Sequence, residues 1–239
     1  MNGDDRYMRI AVAFARATMA PRAQLCSACI EVLDVSGAGI SVMAGEQAGP
    51  LCASNARMRM VEDLQFTTGE GPCQDAFASG LPVSAPNFGV DASRRWPAFV
   101  DLAVANGIGA VFAFPMAASG VMVGALTLYQ DEPGALTTLQ HEDSLSLAEV
   151  LTETVLSLQD AAPDGVLAAG LDDAVAYRAQ IHQAAGMVSI QLGVSPHDGL
   201  SAIRAYAFAH GVGVDKVAAD IVGRRLRLTD GGDQTREGE

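Results

Sequence analysis

The last third of the chain reads as three helical patterns. They cover residues 174–193, 194–210 and 214–228, and short turns carrying Gly193, Gly211 and Gly213 separate them. Helices joined this tightly must bury their apolar faces on one another, which makes a small bundle. Ser195-Pro196 opens the second helix, the serine as cap and the proline in the first turn. Asp215 stands near the start of the third, where a carboxylate suits the helix dipole. Leu167, Leu171, Ala174, Arg178, Ile181, Ala185, Val188 and Leu192 recur at spacings of four and three, a heptad seam interrupted by Arg178. That seam can pack on the bundle itself or on a second chain as a coiled coil, and one helix can do both.

The front of the chain has a different rhythm. A mostly helical stretch, 6–35, stops at Ser36-Gly37. Strands follow at 38–44 and 50–54 around Gly45-Glu46, and Asn55 caps a helix that runs to about Gln65. Pro72 starts a short helix, 81–85 is a short strand, and a helix covers 99–106. The uncharged stretch 107–130 is long enough to span a bilayer. Pro115 and the break Ala117-Ala118-Ser119-Gly120 instead divide it into two buried strands, 108–114 and 121–129. A long helix then starts at Thr137 or Thr138, with apolar positions Leu139, Leu147, Val150, Leu151, Val155 and Leu158. The fold class is therefore α+β, an antiparallel sheet flanked by helices and followed by a three-helix bundle whose first helix is coiled-coil-like. Pro163-Asp164-Gly165 marks the boundary, giving domains at 1–162 and 163–230 and a disordered tail at 231–239.

Charge is divided the same way. The chain carries net −13. Residues 1–162 hold 18 acids and 8 bases, whereas 171–228 hold 5 acids and 6 bases. The whole is no generic nucleic-acid binder, but its helical end is close to neutral with clustered arginines. On the third helix Lys216, Asp220, Arg224 and Arg227 fall on one face at steps of four, four and three, with Arg225 beside them. The first residues, Met1-Asn2-Gly3-Asp4-Asp5, are acidic where a secretory leader is basic. The expectation is a cytoplasmic protein with no membrane anchor and four reduced cysteines.

Few residues offer chemistry. Cys26-x-x-Cys29 has a zinc-ligand spacing but no second close pair, and helical pitch puts both on one core face. No metal or cofactor is expected. His141, beside Glu142-Asp143 at a helix start, reads as exposed. No Ser-His-Asp set, His-metal set or phosphate loop is present, and the chain is not expected to be an enzyme.

The helical end, with Ala184-Ala185-Gly186 in its first helix, resembles an ANTAR domain, the RNA-binding module of bacterial transcription antiterminators. Gly69-Glu70-Gly71-Pro72-Cys73, Arg95-Trp96-Pro97 and Gly124-Ala125-Leu126-Thr127-Leu128-Tyr129 resemble a GAF domain, of the subtype joined to ANTAR domains in actinobacteria. The resemblance implies a homodimeric antitermination regulator in which the GAF domain senses a small molecule or a partner. The helical domain would bind leader RNA hairpins through Arg178, Arg204, Tyr206, His210, Lys216, Arg224, Arg225 and Arg227. Hairpin loops are read by stacking groups and Arg planes as well as by phosphate contacts. The implied ligand pocket is lined by Cys73, Phe77, Asn87, Phe88, Trp96, Phe99, Phe112 and Phe114. Cys73 could also be a redox sensor if a helix N-terminus stabilises its thiolate. Two positions depart from the ANTAR pattern: Ala185 replaces a usual Lys or Arg, and Gly199 replaces a usual Ala. Fewer phosphate contacts follow. The alternatives are a dimeric signalling or scaffold protein without tight RNA binding, and a cysteine-based GAF enzyme acting through Cys52 and Cys73.

Overall fold

The structure is a computed structural model that describes residues 10, 12, 23–43, 49–160, 172–210 and 212–229. It divides into two compact units, one ending at Leu171 and one beginning at Asp172. The sequence boundary at 163–165, seam residues Leu167 and Leu171, the turn Gly45-Glu46 and the tail 231–239 lie outside the described residues. So does most of the stretch 6–22.

The first unit contains α1 (Ala23–Leu33), β1 (Gly37–Val42), β2 (Gly49–Ala53), α2 (Ala56–Thr68), α3 (Pro72–Ser79) and β3 (Val83–Ala85). It continues with α4 (Phe88–Asp91), α5 (Pro97–Ala105), β4 (Ala110–Ala118), β5 (Val121–Gln130) and α6 (Thr138–Asp160). The strands form one antiparallel sheet in the order β2-β1-β5-β4-β3. The uncharged stretch is thus the hairpin β4–β5, and no helix among the described residues is long and apolar enough to cross a membrane.

Strand alternation assigns each residue to one of two cores. Ala38 and Ile40 of β1, Leu126 and Leu128 of β5, and Phe112 and Phe114 of β4 pack against α1 and α6, together with Leu25, Leu33, Leu147 and Leu151. Val111 and Ala113 of β4 and Tyr129 of β5 face the other way, toward Met58, Val61, Phe88, Trp96 and Phe99. Tyr129 also donates from its hydroxyl to Asn55 Oδ1, the atom that accepts the Met58 N–H and caps α2. Leu139, expected on the apolar face of α6, is exposed, and His141 is half-buried with its ring 5.3 Å from that of Phe114.

The cysteines are not all reduced. Register pairs Cys52 with Ile40 and so turns it toward α1, where Cys26 lies with a Cα–Cα separation of 6.1 Å and the two are bridged. Cys29 and Cys73 are free and buried.

The second unit contains α7 (Asp172–Leu192), α8 (Pro196–His210) and α9 (Val214–Val222). Ser195 caps α8, its Oγ accepting the Asp198 N–H at 3.1 Å. Val214, Val217, Ala218 and Ile221 form the buried stripe of α9. The third helix does not run to Leu228 as its apolar spacing predicts. Gly223 closes it, donating to Ala219 O at 2.9 Å. Arg224 turns left-handed at φ 58°, and the N–H groups of Arg225 and Leu226 both donate to Asp220 O. A longer helix would turn Leu226 away from the buried stripe of Val214, Val217, Ala218 and Ile221. The turn instead buries both, and Leu228 N–H donates to Gln191 Oε1 on α7.

The bridge closes a sequence separation of 26 residues. By the chain-entropy model, reduction or Cys26→Ser should lower the unfolding free energy by about 3 kcal/mol. Denaturant titration with and without reductant measures this. Alkylation of the unfolded, unreduced protein should trap two thiols, and four would refute the bridge.

Candidate functional site

The Gly69–Cys73 signature is a junction built from its own backbone needs. Gly69 caps α2 in the left-handed region at φ 69°, which favours glycine. Glu70 reaches across to accept the Ala98 N–H in the first turn of α5 at 3.0 Å. Gly71 has φ 132°, and a Cβ there would lie 2.6 Å from the Gln65 side chain. Pro72 opens α3 at a position with no hydrogen bond to lose. Cys73 N–H donates to Gln65 Oε1 at 2.8 Å.

The Arg95-Trp96-Pro97 signature locks α3 to α5. Trp96 Nε1 donates to Asp75 Oδ2 at 3.0 Å, Arg95 Nε lies 2.6 Å from the same oxygen, and the Arg95 guanidinium covers the Trp96 ring at 4.9 Å. Phe88 stacks on Trp96 and meets Phe99 edge-on at 5.3 Å. These aromatics fill one another's space as core.

The expected pocket residues are therefore divided. Cys73, Phe88, Trp96 and Phe99 lie on one side of the sheet, with Phe77 half-buried on α3 and Asn87 exposed at the start of α4. Phe112 and Phe114 lie on the opposite side, because both share a strand parity with Met116 rather than with Val111 and Ala113. No single cavity can be lined by all of them.

What the sequence reading missed lies beside Cys73. Ser41, Glu62, Gln65 and Thr127 are all buried. Ser41 Oγ donates to Glu62 Oε2. Gly39, opposite Thr127 in the register, makes room for the carboxyl: a Cβ there would lie 2.8 Å from Glu62 Oε1. Burial raises Glu62 from 4.5 to about 7, against the opposing pull of Ser41 and Thr127. The Thr127 hydroxyl is close enough to favour the ionised carboxyl but makes no directed hydrogen bond. Cys73 is pushed well above the ordinary thiol range, first by burial and then by the Glu62 charge. It is held as a thiol, which opposes a thiolate redox sensor. Cys52 is in the bridge, on the sheet's other side, and cannot serve as its resolving partner.

The helical unit gathers its candidate residues on two sides of Leu226. On one side a pocket of about 230 Å³ is lined by Tyr206, His210, Val212, Lys216, Val217, Asp220, Arg225 and Leu226. The Tyr206 and His210 rings stack at 4.0 Å, and Arg225 Nε is held by Asp220 Oδ1 at 2.8 Å. On the other side a groove of about 370 Å³ is lined by Met187, Ile190, Gln191, Ile221, Arg224, Leu226 and Arg227. Because the helix ends at Val222, Arg224 and Arg227 do not continue the Lys216–Asp220 face. Arg204 is half-buried on α8 and lines neither cavity, and the side chain of Arg178 lies outside the described ones. Seam residues Ile181, Ala185 and Val188 are buried within the single chain.

The match to known families covers the first unit. The family model of the GAF domain matches residues 16–156. Among solved structures, the GAF domain of a phosphoenolpyruvate-protein phosphotransferase from Acinetobacter is 12% identical with a TM-score of 0.50, covering 66% of this chain and 95% of that one. The corresponding domain from Coxiella burnetii is 12% identical with a TM-score of 0.47, covering 67% and 98%. A type II free methionine-R-sulfoxide reductase from Thermoplasma acidophilum is 14% identical with a TM-score of 0.42, covering 57% and 92%. No curated protein matches the chain.

The raised Glu62 has a testable sign. Between pH 4.5 and about 7 the native state holds a proton that the unfolded state releases. Stability should therefore fall by about 3 kcal/mol as pH rises through that window, then level off. Glu62→Gln should lack this fall and exceed the native protein in stability at pH 8. Urea titrations at pH 5 and pH 8 check both, and equal slopes in the two proteins would refute the assignment. With its sheet, junction and buried cluster in the matched region, the chain belongs to the GAF domain family, whose membership points to a sensing, regulatory role.

Proposed function

We propose that this protein is a signal-responsive regulator that binds structured leader RNA through its helical unit, while the GAF unit senses a small molecule or a partner. The observation that carries the RNA half is the grouping of the stacked Tyr206–His210 pair, Lys216 and Arg225 around one pocket, with Arg224 and Arg227 at the adjoining groove. A stacked ring pair offers an outer face to an unpaired base, and exposed arginines offer charge to phosphates. The unit's near-neutral charge gives little nonspecific attraction, so recognition must come from these local groups. A bound ligand regulates such a protein only if it favours one of two conformations.

A second reading is a dimeric signalling or scaffold protein without tight RNA binding. Ile190, 85% exposed at the edge of the arginine groove, favours it as a surface for another chain.

RNA capture from the protein's own transcriptome, compared with a variant carrying Arg204→Ala, Arg224→Ala and Arg227→Ala, decides between them. The regulator should enrich leader hairpins, and the variant should lose them. In gel shifts each lost phosphate contact should flatten the slope of log affinity against log salt by about 0.7–0.9. Equal recovery by both proteins would favour the second reading.

A further inference from the structure

Four of the buried polar side chains in the first unit meet at one place: Ser41, Glu62, Gln65 and Thr127. Three of their atoms have no hydrogen-bond partner, namely Glu62 Oε1, Gln65 Nε2 and Thr127 Oγ1. Glu62 is 2% exposed and Thr127 is 0% exposed. The titratable neighbours of Glu62, Asp63 on the same helix and the neutral Cys73 thiol of α3, add no positive charge, and β1 and β5 present only hydroxyls. A carboxylate taken out of water without a cation is costly, so the site must attract either a proton or a positive ligand.

We propose that Glu62, with Thr127 and Ser41, binds the ammonium group of a small amine, ammonium ion being its smallest form. Glu62 Oε1 and Thr127 Oγ1 are the open acceptors, and N–H donors satisfy both. A metal ion of the calcium class needs six to eight oxygen ligands, more than one carboxylate and two hydroxyls supply. Burial limits the size, since Glu62 and Thr127 are almost wholly enclosed and Glu62 and Met58 already fill the space over Gly39. Gln65 Nε2 and the Thr127 hydroxyl hydrogen are the open donors beside the site.

Occupancy can reach the surface of the unit. Gln65 holds the Cys73 N–H, and two residues further along α3 Asp75 holds the indole of Trp96, the only tryptophan in the chain. The ligand and the proton compete for the same carboxyl. Since Glu62 titrates near 7, apparent affinity should fall about tenfold for each pH unit below that point and level off above it. The inference rests on the sensing half of the proposed function and is independent of the RNA half.

The test uses the full-length protein at pH 8 and constant ionic strength, with ammonium, methylammonium, tetramethylammonium and sodium chlorides. Ammonium or methylammonium should raise Tm by about 3–6 °C at ten times its Kd and change Trp96 fluorescence. Tetramethylammonium, which has no N–H, and sodium should do neither. Glu62→Gln, an isostere of the protonated acid, should fold and lose the ammonium response, and Thr127→Val should weaken it. The proposal is overturned if ammonium acts no differently from sodium, or if Glu62→Gln responds as the native protein does. Neither outcome touches the RNA capture result, so failure of one half is distinguishable from failure of the other.

Discussion

Strand β5 lies in the middle of a five-stranded sheet that is covered on both faces, and its alternation fixes what each face contains. Leu126 and Leu128 go to the helices α1 and α6, whereas Thr127 goes to α2 and α3. One hydroxyl on the second face would be unremarkable alone. Register places Gly39 opposite it, and the missing side chain lets Glu62 of α2 approach the strand. A carboxyl, two hydroxyls, an amide and a thiol are thereby enclosed where an apolar core would be more stable. The Ser41 and Gln65–Cys73 hydrogen bonds offset part of that cost, and the rest appears as the raised Glu62. A fold that retains such a group against its own stability has a local conflict of the kind found at functional sites.

The outline of the fold was legible because it rests on periodicity and punctuation. Gly and Pro at 69, 71, 72 and 97 stand where the backbone needs them, and the hairpin turns at Ser119–Gly120, whereas Pro115, Ala117 and Ala118, expected to break the strand, stay paired in β4. The pocket was not legible, because aromatic composition does not reveal strand parity. Phe112 and Phe114 are as aromatic as Phe99 but point to the other core. Glu62 was hidden by its neighbours: Arg57, Arg59 and Asp63 make its helix read as solvated. A signal was nevertheless present, since Met58, Val61, Glu62 and Gln65 fall on one helical stripe that begins apolar and ends polar. The Cys26–Cys52 bridge depends on a register that no spacing rule supplies.

The helical unit shows a different limit. The sequence pattern runs the third helix to Leu228, whereas the helix ends at Val222 and both Leu226 and Leu228 are buried beyond it. Burial was satisfied by a turn at Gly223–Arg224, which moves Arg224 and Arg227 to the opposite side of Leu226 from Lys216 and Arg225. The arginines are thus positioned by the anchoring of Leu226, Leu228 and the Gln191 hydrogen bond rather than by helix phase.

The two departures from the resembled RNA-binding family are a single structural feature. A Cβ at Gly199 of α8 would lie 2.5 Å from the carbonyl oxygen of Ala185 on α7, so the helices cross there at a distance only glycine permits. Ala185 is 3% exposed at this crossing. A Lys or Arg at 185 would have to bury a charge or force α8 away, and the close crossing excludes both. Glycine at 199 and a small residue at 185 therefore belong together, and neither is an independent loss. The Lys or Arg that the resembled pattern carries at position 185 has no place on this face. Among the described side chains, the exposed Arg224, Arg225 and Arg227 cluster around Leu226, and the stacked Tyr206–His210 pair lines the pocket on one side of it.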